Sequence, residues 1–523
     1  MPNVVLYRWG IIPLWMLLTL TVFLRNPLPV DETRYLSVAW EMWWRNDFWV
    51  PYLNGQPYSH KPPLLFWLFQ LGWMVFGVNQ WWPALVGPLA ALINLLLTRK
   101  LAEKLWPEQA NVALLAPWLL IATLLWTLFA TTAMFDTLLT SLVLLGMLGL
   151  LEMLAGARRK ASVMLALATG LGLLAKGPVI FLHLLPVAVL APLWVRHKIP
   201  PGWLVSLLPG LAAGVLIALV WAIPAALDGG EEYAQAILWR QVANRTIATE
   251  IHARPFFWYL LFLPLILFPW IFWSRFWNKL SISRIRQDSG LRFCFSWFLA
   301  GLCIFSCISS KQIHYLVPIL PAFALLAARI LIDGLPERFM RGDLLLVMLF
   351  GISGLFLILL PGLPWFSGWR WVQTVQPAWG LSVLAIAVTM LPALLFKPGL
   401  SVPVVTISVV LAVFVSVMWF FRYNDQAFNL KPAALQLKNY HDQGVPCAFV
   451  GTYHGQLNFL GRLTQPVSVL EPDEVPGWVT RHPDGYLLSI EKEKPLDMVF
   501  LQGHREYWLV FRTAGQYRQL RPL

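Results

Sequence analysis

The stretch PVDETRYLSVAWEMWWRNDFWVPYLNGQPYSHKPP, residues 29–63, decides how the chain is read. It opens on adjacent carboxylates, Asp31 and Glu32, followed by Arg34 and Tyr35, and closes on Tyr58, Ser59, His60, Lys61 and two prolines. Apolar sequence flanks it on both sides. Ahead of it, residues 7–24 form an apolar run with only Arg8 at its start, and no small-x-small cleavage site precedes the polar stretch. That run is therefore read as a first membrane helix that is retained. A polar stretch this rich, placed directly after a first span, calls for a functional reason.

The composition sets the class. Of 523 residues, 58% are hydrophobic and only 12% are charged, against roughly 25% charge in soluble domains. With 29 Trp and a mean hydropathy of +0.64, the chain reads as a polytopic membrane protein. The net charge of +13 does not point to nucleic acid. The basic residues fall in short loops between apolar runs, where the positive-inside rule expects them. The cysteines are Cys294, Cys303, Cys307 and Cys447, with neither CxxC spacing nor a disulfide framework. Cys303 and Cys307 share one helical face and read as small buried residues rather than metal ligands.

A bilayer core takes about 20 apolar residues as a helix. Fourteen candidate segments lie near 7–24, 64–78, 83–98, 111–130, 133–154, 161–175, 177–195, 203–227, 256–274, 291–309, 315–333, 343–362, 379–396 and 402–421. Basic clusters at Arg99, Lys100 and Lys104, at Arg158–Lys160, at Arg196–Lys198, at Arg275 through Arg286, and at Arg338 and Arg341 should all be cytoplasmic. They are so only if 64–78 does not cross. That segment is short, follows two prolines and ends in Gly77, so it reads as a helix lying in the outer interface. The expected fold is an all-α polytopic domain, residues 1–421, with about thirteen spans and external interfacial helices. Its external loops are 25–82 and 228–255. After Phe421 turn residues and short strand-like runs appear, at 447–452, 467–470, 486–490, 498–501 and 507–512, with a helix near 430–439. Residues 422–523 are thus expected to form a small external α/β domain.

This topology gathers ionisable groups on one face. The first loop brings Asp31, Glu32, Arg34, Tyr35, Tyr58, His60 and Lys61; later turns bring Asp136, Lys176, and Lys311, His314 and Tyr315; the loop 228–255 brings Arg240, Arg245 and Arg254. Each has a plain alternative taken alone. Carboxylates favour helix N-termini, lysines snorkel, and tyrosines line interfaces. Asp136, isolated in an uncharged run, is harder to explain that way, because ionisable groups at a membrane boundary are costly unless they function. Together the set suits phosphate-linked transfer. Lys and Arg can hold a phosphate and stabilise charge developing on it, and a carboxylate can activate an acceptor. A pair of acidic sites can also hold Mg²⁺, and Zn²⁺ would draw on His60 with a carboxylate; the residues leave both open.

DETRY at 31–35, PYLNGQPYSHKPP at 51–63, the isolated Asp136, LLAKGP at 173–178, RPFFWYLLFLPLILFPW at 254–270 and SSKQIHYLVPILP at 309–321 occur in an order that resembles the membrane glycosyltransferases of the C-type fold. The resemblance is greatest to the bacterial aminoarabinose transferases that decorate lipid A, with the protein O-mannosyltransferases behind them. It implies a sugar donor on undecaprenyl phosphate, 4-amino-4-deoxy-L-arabinose in the family. It also implies an acceptor in lipid A or another envelope glycan or lipid, and transfer at the periplasmic face of a bacterial inner membrane. By position, Asp31 and Asp136 match the family's two acidic residues, and Glu32 is grouped with them as catalytic. Arg34, Tyr35, Tyr58, Lys61, Lys176 and Tyr315 match donor- and phosphate-handling positions, and Arg245 is a looser match. The family carries an acidic, metal-associated residue just before the Lys-Pro; here it is His60.

A glycolipid flippase is the alternative from another class. It would place ionisable residues along a path through the bilayer, whereas here they collect at one face. A non-catalytic sugar-lipid receptor is the third reading.

Overall fold

The computed structural model describes residues 4–196, 198–237, 253–333 and 339–520. Among them, nine helical stretches are long and apolar enough to cross a membrane, beginning with Val4–Phe23 and Trp81–Leu105. They coincide with nine of the thirteen expected spans. The other four expected spans are helical but short, interrupted or charged. Residues 111–130 divide into Ala110–Ile121 and Leu124–Phe129, and residues 177–195 into Val179–Val189 and Ala191–Trp194. Arg158–Lys176 begins on three basic residues, and Trp258–Ile266 gives way to a 3-10 turn at Trp270–Phe272.

Broken helices leave carbonyls without their usual partners, and lipid supplies none. Here the abundant tryptophans donate to them. The Trp270 Nε1–H reaches the Leu119 carbonyl at 2.9 Å, beside the break after Ile121. Trp194 and Trp203 donate to the Val187 and Ala188 carbonyls, each at 2.9 Å, where Val179–Val189 ends. An indole suits the task because it carries one donor on a large apolar body.

The helix Leu64–Phe76 has 13 residues. At ~1.5 Å per residue it is about 20 Å long, short of the ~30 Å hydrocarbon core. One face, with Phe66, Phe69 and Trp73, is buried; the other exposes Leu71, Met74 and Val75. The buried face packs on the helix Asp31–Arg45, where Gln70 Nε2 donates to the Ala39 carbonyl at 3.1 Å. The polar stretch that opened the reading is thus a helix, a hairpin of β1 (Tyr52–Leu53) and β2 (Gln56–Pro57), and the approach to a second helix. Glu41 ties these together by pairing with Arg45 and accepting the Gly55 N–H at 2.9 Å.

The last long helix, Ser401–Phe428, runs seven residues past the expected boundary at 421. Its polar final turns are satisfied in place: Asn424 Nδ2 donates to Thr374 Oγ1 and Asn26 Nδ2 to Asp425 Oδ1, both at 2.7 Å. Beyond it lies a small α/β domain. Its sheet has β3 (Cys447–Val450), β4 (Ser468–Leu470), β5 (Tyr486–Glu491), β6 (Phe500–His504) and β7 (Tyr507–Thr513), in the order β4-β3-β5-β7-β6. The first three strands are parallel and the last two antiparallel. All five strand-like runs of the sequence are strands. Cys303 and Cys307, expected to be buried, are exposed on the face of their apolar helix, where the surroundings are lipid rather than core.

At the opposite end of the bundle, Asp343 is fully buried and accepts from Trp273 Nε1 at 2.8 Å, from Arg275 Nε at 2.6 Å and from the Met340 N–H at 2.9 Å. Arg275 is therefore a buried ion-pair partner as well as part of a topogenic cluster. Removing one member of such a pair costs about 3–5 kcal/mol. Asp343→Ala should accordingly lower the thermal midpoint of the detergent-purified protein clearly; a midpoint equal to wild type would show that the pair is not holding these helices.

Candidate active site

The expected site residues converge at one end of the bundle because three helix termini meet there. Asp136 lies in the first turn of Phe135–Leu154, Lys176 is the last residue of Arg158–Lys176, and His314 and Tyr315 open the 3-10 turn Ile313–Ile319. Gly177, at φ +69°, ends the Lys176 helix in a backbone conformation that favours glycine. Lys176 Nζ pairs with Asp136 Oδ1, and His314 Nε2 stands 3.8 Å from Asp136 Oδ2. The side chains of Asp136 and Lys176 are only 3% and 5% exposed. Lys176 Nζ also lies 4.7 Å from the centre of the Tyr315 ring.

The first loop forms the other wall. Tyr35, Phe66 and Phe135 pack edge-on or tilted against one another, with centroids 5.0–6.3 Å apart. Tyr58 joins this cluster through Phe66 and stacks on the exposed ring of His60 at 5.3 Å. Lys61 Nζ lies 5.6 Å from the Phe135 ring centre, on the residue next to Asp136. Asp31 pairs with Arg34 one turn along its helix, and its side chain is 47% exposed. Burial first, then the Asp31 carboxylate, lifts the Tyr35 phenol well above its ordinary pKa, so it remains a neutral hydrogen-bond donor. The two acids thus differ in kind. Asp136 is buried and charge-matched, and Asp31 is half exposed and paired with Arg34.

Glu32 is not in this cluster. Its carboxylate is held in two contacts by Arg25, at 2.5 and 2.8 Å, and accepts the Leu28 and Ala133 N–H groups, each at 2.8 Å. Arg25 also donates to the Thr131 carbonyl at 3.0 Å. The pair therefore fastens the first loop to the turn that leads into Asp136. Gly87 makes room for that turn: a Cβ there would come within 2.2 Å of the Thr132 carbonyl oxygen. Sequence reasoning missed Arg25 and gave His314 no role. Arg25 had a visible signal, being a cation on the face where the positive-inside rule disfavours one.

Arg240, Arg245 and His252 lie outside the described residues. The Arg254 backbone N–H donates to the Ser309 carbonyl at 3.1 Å, and Lys311 Nζ donates to the Arg254 carbonyl at 3.0 Å, so the Lys311 ammonium serves the backbone here while the Arg254 side chain is exposed. Among the described residues no group of three or more His, Cys, Asp or Glu could hold a metal ion. Asp136 and Asp31 each pair with a cation, and His60 stacks on the Tyr58 ring. An apolar groove of about 360 Å³, lined by residues such as Leu124, Leu128, Phe350, Trp379 and Phe420, opens among the later spans. The short helix Leu124–Phe129 lines it and carries Phe129, whose ring is 5.6 Å from His314.

Comparison with known proteins agrees with this geometry. A sequence model of the dolichyl-phosphate-mannose-protein mannosyltransferase family matches residues 60–227. The undecaprenyl phosphate-alpha-4-amino-4-deoxy-L-arabinose arabinosyl transferase 2 of Pseudomonas fluorescens is 29% identical over 369 residues, 66% of this chain and 62% of that protein. The corresponding transferase of Pseudomonas paraeruginosa is 30% identical over 352 residues, 63% of this chain and 59% of that one. The matched region thus spans about three-fifths of these relatives' own length. In structure, the chain resembles ArnT from Cupriavidus metallidurans bound to undecaprenyl phosphate, with a TM-score of 0.78 over 98% of both chains at 18% identity. An oligosaccharyltransferase of Archaeoglobus fulgidus gives a TM-score of 0.51 over 88% of this chain and 64% of that one, at 12% identity. The chain therefore has the fold of the C-type membrane glycosyltransferases and is similar in sequence to the aminoarabinose transferases.

Burial alone would raise the Glu32 pKa, but Arg25 and the two N–H groups outweigh it and hold the carboxyl below the usual range. A depressed folded-state pKa gives stability that is complete above the ordinary Glu range and is lost as pH falls through the depressed value. Glu32→Gln leaves Arg25 buried and unmatched, which costs about 3–5 kcal/mol near neutrality. Thermal midpoints measured along a pH series should show wild type well above the variant at pH 7, and the gap should narrow in acid. A gap independent of pH would contradict the ionised pair.

Proposed function

We propose that the protein is a glycosyltransferase that moves a sugar from a polyprenyl phosphate, undecaprenyl phosphate in the named relatives, to a cell-envelope acceptor. In those relatives the sugar is 4-amino-4-deoxy-L-arabinose, and we extend that sugar, with lipid A as acceptor, to this chain. The reaction would occur at the periplasmic face of a bacterial inner membrane, a reading that the basic clusters in the opposite loops support. The observation that carries the reading is the meeting of a buried Lys176–Asp136–His314 group, Lys61 and a half-exposed Asp31–Arg34 pair at one end of a bundle of membrane-length helices. Ionisable groups gathered at one end support chemistry at that face better than a transport path through the bilayer.

In this reading the donor phosphate lies against Lys61, with Arg34, Tyr35, Tyr58 and Tyr315 around the sugar. Asp31 accepts the proton of the acceptor oxygen as that oxygen attacks the anomeric carbon. The bond from that carbon to the phosphate oxygen breaks, and the added negative charge on the departing polyprenyl phosphate is met by Lys61 and by Lys176. Asp136 keeps Lys176 charged and oriented in the meantime. The apolar groove beside Leu124–Phe129 receives the part of the prenyl tail nearest the phosphate.

Asp31→Asn and Lys61→Ala should each lower the rate of transfer of a labelled sugar in proteoliposomes, by roughly 10²–10⁴-fold for loss of an acid–base or charge-stabilising group. Lys176→Ala should do so as well and should also destabilise the fold, since it strands Asp136. Activity near wild type in both Asp31→Asn and Lys61→Ala would sink these roles.

A further inference from the structure

The helix Asp31–Arg45 is held on two sides by protein. The C-terminal domain is seated on one: Trp40 Nε1 donates to the Leu463 carbonyl at 2.9 Å, and just past the helix Asn54 exchanges two hydrogen bonds with the backbone of Val467, both at 2.8 Å. Gln70 of the helix Leu64–Phe76 holds another through the Ala39 carbonyl. Glu32 and Leu36, one turn apart on a third side, border a cavity of about 250 Å³. Its other walls include Val22 and Phe23, which end the first membrane-length helix, and Trp81, Pro83 and Ala84, which begin the second. A space between the ends of two spans lies at the depth of lipid headgroups and ester groups. Phe23 and Trp81 are 56% and 41% exposed, so the cavity is bordered by apolar side chains that stand open to their surroundings.

The rest of the lining is polar. Arg25 and Glu32, with side chains 7% and 4% exposed, are its charged residues. Each answers the other, so the cavity carries no net charge. Arg25 uses both terminal nitrogens, on Glu32, on the Asn26 carbonyl at 3.2 Å and on the Thr131 carbonyl. A guanidinium has five N–H donors, and the fifth, at Nε, has no hydrogen-bond partner among the described residues. Gln80, half-buried and also in the lining, stands at the N-cap of Trp81–Leu105, and its side chain makes no hydrogen bond to that helix. Unused donors, no net charge and apolar walls at interfacial depth suit the uncharged polar part of an amphiphile.

We propose that this cavity binds one diacyl membrane lipid by its glycerol-ester region. Ester carbonyls accept from the Gln80 amide and from Arg25 Nε–H, the acyl chains leave past Phe23 and Trp81 into the bilayer, and the headgroup remains in solvent. This lipid is neither the donor nor the acceptor of the proposed transfer, and its site does not rest on that reading. It fills a side of the first-loop helix that protein leaves open. Because Glu32 also accepts the Ala133 N–H, a lipid seated here braces the turn that leads into Asp136. The neutrality of the cavity makes binding indifferent to headgroup charge, since an anion would find Arg25 already matched by Glu32.

The test uses the full-length protein in detergent, stripped of lipid and then given phosphatidylglycerol, phosphatidylethanolamine or inorganic phosphate. Either lipid should raise the thermal midpoint by several degrees and stay as one bound molecule in native mass spectra; phosphate should do neither. Gln80→Leu should weaken lipid retention about tenfold, the size of one lost hydrogen bond. Ala84→Phe, which fills the cavity, should abolish it. Leu216→Phe, on an exposed face of Trp203–Asp228, should change neither readout. A phospholipid carrying a photoreactive diazirine beside its ester should label peptides spanning residues 22–36 and 80–84 of the wild-type protein. That labelling needs no variant, so it decides the matter if Ala84→Phe does not fold. Labelling elsewhere only, stabilisation by phosphatidylglycerol alone or by phosphate, or equal lipid retention in wild type and folded Gln80→Leu overturns the proposal and leaves the transferase reading standing.

Discussion

A carboxylate buried at the end of a membrane bundle has to be matched by a cation, and Asp136 is matched by Lys176. The desolvation of each charge is tolerable only because the other is there. Much follows from that requirement. The helix ending at Lys176 runs antiparallel beside the helix beginning at Phe135, so that the end of one meets the start of the other, and His314 closes the third side. The aromatic wall of Tyr35, Phe66 and Phe135 then shields the pair from water, which strengthens the attraction between the charges. The pair is therefore a fixture of the fold as well as of the site.

Against that fixed centre the first loop supplies the exchangeable part. Asp31 is half open and pairs with a residue one turn away on its own helix. Glu32, its neighbour in sequence, points elsewhere and is consumed in bracing. Adjacent residues on a helix diverge by about 100°, so a DE pair at a helix start can serve two unrelated ends. Here one carboxylate stays half exposed while the other ties the loop to the turn that leads into Asp136.

Much of this was legible in the sequence. The basic clusters lead to the expectation that residues 64–78 do not cross, and in the structure that segment is a helix of 13 residues, shorter than the hydrocarbon core. The same count expects Asp31, Asp136, Lys176 and Tyr315 on one face, and in the structure Lys176 meets Asp136 and Tyr315. The five strands of the C-terminal domain were also legible, from turn residues and β-branched runs. Other features were not. The bracing role of Glu32 depends on Arg25 and on the Ala133 backbone, more than a hundred residues away for the latter. No local pattern distinguishes Glu32 from Asp31. The breaks near Thr123 and Leu190 fall inside runs that hydropathy reads as continuous spans; the first is repaired by an indole 151 residues away and the second by Trp194 just beyond it, and hydropathy registers neither hydrogen bond.

The seat of the C-terminal domain has a consequence for how the molecule is made. Asn54 and Val467 hold each other across 413 residues of chain, and Trp40 and Leu463 across 423. Eight of the nine membrane-length helical stretches among the described residues are synthesised between them. The first polar segment is therefore without these contacts until the final hundred residues have emerged, and the last part of the chain to be made completes the packing of one of the first.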